Sequence, residues 1–118
     1  FMQALKVVLH IDEIEKWPLN IGNAKNFITD IGQEAFSMEI IANGPAVKIF
    51  SSPSPEQQLL LEELQLLAEK GVKLMVCSNA LRANQIAAAE LPRFTTIVPA
   101  GITRLVVLQQ AGYSYVKP

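Results

Sequence analysis

Short β-branched runs alternate along this chain with longer amphipathic stretches, the pattern of a parallel sheet covered by helices. Ala4 to Ile11 (ALKVVLHI) is apolar at nearly every position, as a strand buried on both faces must be. Trp17-Pro18 opens a helical stretch. In it Ala24, Phe27, Ile28 and Ile31 form one i, i+3, i+4, i+7 stripe, which Gly32 ends. Met38 to Ala42 (MEIIA) predicts a second strand, broken by the turn Asn43-Gly44-Pro45. Ala46 to Phe50 (AVKIF) reads as its extension or as a separate short strand. Ser54 is placed to cap the next helix with Pro55 at its first position, and leucines 59, 60, 61, 64, 66 and 67 fill that helix up to Gly71.

Val72 to Val76 (VKLMV) predicts the third strand, with Cys77 at its C-terminal end. Ser78 or Asn79 caps an alanine-rich helix expected to run to about Glu90. Thr96 to Val98 is a fourth strand. Pro99-Ala100-Gly101 turns into a helix from about Ile102 to Gln110, and Tyr113 to Val116 closes the sheet. No repeat, linker or low-complexity segment interrupts the order. The expectation is one α/β domain over residues 1–118, a three-layer sandwich with a mainly parallel central sheet.

Composition narrows what such a domain does. With 118 residues there is room for one core. Ten Lys and Arg against 11 Asp and Glu leave a net charge of −1, without the basic surplus a nucleic-acid binder needs. Half the residues are hydrophobic and only 18% are charged, against roughly 25% in an ordinary soluble domain. So small a body must show some of that apolar surface, and burying it against further copies of the chain makes a homo-oligomer the expectation. No run approaches the roughly 20 apolar residues that span a bilayer, and Phe1-Met2-Gln3-Ala4 leads into the first strand without a signal-peptide pattern. A cytoplasmic protein without membrane or nucleic-acid partners is expected.

One cysteine and one histidine are the residues with chemistry to offer. They exclude an internal disulfide and a one-chain zinc site, and no metal or cofactor is expected. In open α/β sheets ligands bind beyond the carboxyl ends of the strands, where the strand order reverses. If the order is flavodoxin-like, strands one and three are neighbours there, and His10 and Cys77 share an edge with Asn43-Gly44 and Pro99-Ala100-Gly101. At a strand-to-helix junction, unpaired N–H groups and the helix dipole favour an anion, a setting that activates a thiol as nucleophile. Arg82, one turn on, can fold back to assist. The alternative is an inert cysteine ending a core strand, since free cysteine is among the most buried residue types. His10 likewise is either a proton-handling partner of the thiol or a strand-end histidine bonded to a backbone carbonyl. Cys77 to Arg82 leaves four residues between Cys and Arg where a phosphatase loop needs five, and there is no C-x-x-C, G-x-G-x-x-G, G-x-S-x-G or Walker lysine loop.

From Cys77-Ser78-Asn79-Ala80-Leu81-Arg82 outward the chain resembles the DsrE/DsrF-like family of small sulfur-relay proteins, in its uncharacterised single-cysteine branch. Lys6 to Ile11 is similar to the family's first strand and Val72 to Cys77 to its cysteine-bearing third. Val98 to Ile102 and Gln110 to Pro118 are similar to its closing segments. The resemblance implies a YchN-like fold assembled as a homotrimer or homohexamer. It also implies a role for Cys77 as carrier of sulfane sulfur, held as a persulfide between a donor and an acceptor protein. Ser78, Asn79, Asn43, Gly44, Pro99, Gly101 and Arg82 would border the sulfur, with His10 managing protons. The competing expectation is a non-enzymatic oligomeric module that binds a small ligand or regulates, with Cys77 as a wall of its pocket.

Overall fold

A computed structural model describes residues 4–118, so the reading of the leader at Phe1 to Gln3 lies outside the described residues. The chain runs β1 (Leu5–Ile11), α1 (Trp17–Ile31), β2 (Phe36–Ala42), α2 (Pro55–Glu69), β3 (Lys73–Cys77), α3 (Ser78–Ala83), β4 (Thr95–Val98), α4 (Gly101–Gln110) and β5 (Ser114–Val116). The five strands form one parallel sheet in the order β4-β3-β2-β1-β5.

That order explains the layers. Crossovers between parallel strands are right-handed, so the steps from β1 to β4, all in one direction, place α1 to α3 on one face. The step from β4 back across the sheet to β5 runs the other way and leaves α4 alone on the opposite face. Side-chain alternation follows suit. Val7, Leu9, Ile11, Met38, Ile40, Leu74 and Val76 join the larger core beneath α1 and α2, whereas Val8, Ile41 and Met75 pack on Leu105 and Leu108 of α4.

The adjacency expected of a flavodoxin-like order is corrected here, because β2 lies between β1 and β3. The physical reason is visible in β2 itself. From Met38 to Ala42 every residue is buried, which only a central strand can satisfy, while the four-residue β4 and three-residue β5 take the edges. At the carboxyl edge the connections part between β3, which leads into α3 on one face, and β4, which leads into α4 on the other. Cys77 ends β3 at that parting, and His10 lies two strands away.

Two further elements differ from expectation. Ala46 to Phe50 belongs to a 3-10 helix over Gly44–Phe50, not to a strand. Gly44 at φ 54° turns the chain sharply and Pro45 holds the helical φ that follows. The alanine-rich helix stops at Ala83 rather than near Glu90, because Gln85 takes a left-handed φ of 57°, and only a 3-10 turn at Ala88–Glu90 follows. By contrast, Ser54 caps α2 as expected, its Oγ accepting from Gln57 N–H while the Gln57 side chain accepts from Ser54 N–H.

Trp17 anchors this region. It is wholly buried, stands edge-on to Phe50 and donates its indole N–H to the Ala46 carbonyl at 2.9 Å. Trp17→Phe leaves that buried carbonyl unpaired and opens a void, and is expected to cost about 2–3 kcal/mol in urea denaturation.

Candidate functional site

Cys77 is the last residue of β3 and the N-cap of α3. Its Sγ accepts the Ala80 N–H at 3.4 Å, so the thiol performs the capping that the sequence assigned to Ser78 or Asn79. The hydroxyl and amide of those two residues are engaged elsewhere. Arg82 donates to Ser78 Oγ at 3.1 Å and to Asn79 Oδ1, which turns the guanidinium onto its own helix rather than toward the sulfur.

An open groove of about 510 Å³ runs past Cys77. Its walls are the turn Asn43-Gly44-Pro45 after β2, Asn79, Ala80, Ala83 and Asn84 of the α3 region, and Ala100, Gly101 and Ile102 where α4 begins. Among the described residues no charged side chain lines it. Of the residues singled out from sequence, Cys77, Asn43, Gly44, Asn79 and Gly101 thus meet at one place. Ser78 and Arg82 lie outside it, and Pro99 borders a neighbouring hollow with Thr103 and Arg104.

Gly101 is what lets α4 approach. A Cβ there would meet Asn43 Cβ at 3.2 Å, Cys77 Cβ at 3.3 Å and Ile41 Cγ2 at 3.4 Å. Two of those atoms are fixed directly by strand-end backbone and cannot yield, so overpacking outweighs any gain in helix propensity. Gly101→Val is expected to destabilise by about 1–3 kcal/mol, read as a lower thermal midpoint.

His10 stands on the far side of Asn43 from the cysteine. Its Nε2 lies 2.9 Å from Asn43 Oδ1 and its Nδ1 lies 2.6 Å from the Tyr115 hydroxyl. It bonds to two side chains, neither of them Cys77 and neither a backbone carbonyl. Tyr115 was not singled out from sequence. Its place follows from the parallel register of β5 with β1, which sets it opposite Val8, and no short-range pattern encodes that pairing. Asn84 was also missed. Its Nδ2 donates to the Ala80 carbonyl at 2.8 Å and reaches the Gly44 carbonyl at 3.5 Å, tying α3 to the opposite wall of the groove.

Beneath α4 lies the main charged feature of the interior. Glu39, 2% exposed in the middle of β2, accepts from Arg104 Nε at 2.9 Å and from Nη2 at 2.6 Å. The hydrogen bond to Glu39 raises the Arg104 pKa above its ordinary value, against the opposing effect of burial. Among the described residues no group of three or more His, Cys, Asp or Glu side chains is placed to hold a metal ion.

The model of the DsrE/DsrF-like family matches residues 6–118. The chain belongs to that family. Its fold is similar to that of MTH1491 from Methanobacterium thermoautotrophicum, a protein of unknown function, at a TM-score of 0.84 and 28% identity over 97% of this chain and 99% of that one. It is also similar to the ychN protein from E. coli, at a TM-score of 0.72 and 14% identity with the same coverage, a likeness of fold. The YchN-like architecture expected from the sequence is therefore the observed one. No curated protein matches the chain. Among the described residues no helix of this family member is long and apolar enough to cross a membrane.

Proposed function

We propose that this DsrE/DsrF-like protein is a small cytosolic sulfur carrier that holds sulfane sulfur as a persulfide on Cys77. Membership of a family commonly tied to sulfur relay supports the reading. The observation that carries it is the placement of the one thiol in an open groove at the carboxyl edge of the sheet, among amide donors. The Cys77 thiolate attacks the outer sulfur of a donor persulfide. A bond forms from Sγ to that sulfur, the donor S–S bond breaks, and the donor leaves as a thiolate. An acceptor thiolate then attacks the same outer sulfur and releases Cys77. Each transfer exchanges one S–S bond for another with no net oxidation, so no cofactor is required.

Assembly fits the same reading. Ile102, Val106 and Val107 on the outer side of α4 are each nearly half exposed or more. A homotrimer or homohexamer that covers this surface is proposed, with donor and acceptor proteins as transient partners. One observation favours the competing ligand-binding reading. Cys77 is only 6% exposed, as a structural pocket wall would be.

Intact mass decides between them. Native protein incubated with a small organic persulfide gains one sulfur if Cys77 is the carrier. If sulfur is gained only after denaturation, the thiol is structural and the carrier reading falls.

A further inference from the structure

We infer that Tyr115 and His10 are positioning residues that hold the Asn43 carboxamide with its Nδ2 donor facing sulfur on Cys77. This rests on the sulfur-carrier reading for its purpose, but its geometry stands apart from it. Asn43 Oδ1, which can only accept a hydrogen bond, faces His10 Nε2 at 2.9 Å, and the proposed arrangement has Nε2 carry the proton. In a neutral imidazole Nδ1 is then a bare acceptor, and the 2.6 Å contact with Tyr115 is the phenol donating to it. The chain of donors runs one way, from Tyr115 to His10 to Asn43.

The consequence falls on the groove. Asn43 lines it, and Asn43 Cβ and Cys77 Cβ flank the same point at Gly101. With Oδ1 committed to His10, the remaining polar atom of the amide is Nδ2, which bonds to no described residue. Amide O and N are nearly the same size, so what keeps a carboxamide from turning over is its hydrogen-bond partners. Without the Tyr115 hydroxyl, His10 can move its proton to Nδ1. A bare Nε2 then calls for the Asn43 amide to turn, which puts a carbonyl oxygen toward an anionic sulfur in place of a donor. The arrangement has the logic of an outer-shell partner that fixes a histidine tautomer at a metal site, applied to an amide.

The test uses the full chain and two variants. Tyr115→Phe removes only the hydroxyl. Asn43→Asp keeps the shape of the amide and presents acceptors alone. In wild-type protein, nitrogen NMR is expected to show His10 as the Nε2–H tautomer, and Tyr115→Phe to lose that preference. Alkylation of Cys77 by iodoacetamide and sulfur uptake from an organic persulfide are both expected to slow about tenfold in each variant, the effect of one hydrogen bond to a charged group. Unchanged rates in both variants, or an Nδ1–H tautomer in wild type, overturn the relay, and wild-type uptake then still upholds the carrier. Failure of wild-type uptake with alkylation still slowed in the variants overturns the carrier and upholds the relay. A native thiol that neither labels nor loads overturns both. If Tyr115→Phe does not fold, Asn43→Asp and the wild-type tautomer decide.

Discussion

Cys77→Ser protein is expected to take up no sulfur from a persulfide donor under conditions where the wild-type chain gains one atom. The substitution is the sharpest available because Cys77 is the only cysteine, so no second thiol can substitute or be mistaken for it. Serine keeps the position, the size class and the capping role, since a hydroxyl accepts the Ala80 N–H at least as well as sulfur does. Stability should therefore hardly move, and a serine oxygen, a poor nucleophile without a general base, forms no bond to sulfur. Loss of uptake with an unchanged urea midpoint is the expected pair of results. Undiminished uptake would show that the sulfur resides elsewhere and end the assignment to Cys77.

The largest stability effect belongs to Arg104→Ala, expected to cost about 3–5 kcal/mol in denaturant unfolding. Glu39 is 2% exposed and relies on Arg104 for both of its carboxylate oxygens, so truncating the arginine strands a buried charge. The reverse substitution is unlike it. The Arg104 side chain is 32% exposed, and in Glu39→Leu it can turn out to water while leucine fills the space beneath α4. That variant should lose about 1 kcal/mol or less, because replacing a buried ion partner by an apolar side chain is often close to neutral. Equal losses in the two variants would contradict this account. Since the arginine pKa is raised, its contribution is present below the ordinary arginine range and fades only above it, leaving no pH dependence from Arg104 near neutrality.

The succession of strands and helices is legible in the sequence because each run carries its own local evidence. Val72 to Val76 reads as a strand from its own residues, and that alone puts Cys77 at a strand-to-helix junction. Ser54-Pro55 names its own capping role. The features that stay hidden share a different cause. Nothing within Phe36 to Ala42 states which strands flank it, so the position of β2 between β1 and β3 is illegible, and with it the separation of His10 from Cys77. Glu39 within MEIIA looks like a surface residue until Arg104, 65 positions away, is brought beneath it. Ala46 to Phe50 has strand composition but follows a Gly-Pro turn whose geometry prevails over it. The hydroxyl of Tyr115 reaches His10 across 105 positions, a pairing that depends on the whole sheet.

That last distance sets the order in which the chain can mature. β1 leaves the ribosome well before its outer neighbour, β5, which begins only at Ser114. Until β5 has been made, the flank of β1 along Val7, Val8 and Leu9 is an unpaired edge of apolar residues, the kind of surface that recruits strands from other chains. Closing so wide a loop also carries a large entropic cost, repaid only by contacts that form once it is shut. The three residues of β5 thus act late, as the seal on an edge that a nascent chain must keep to itself until they arrive.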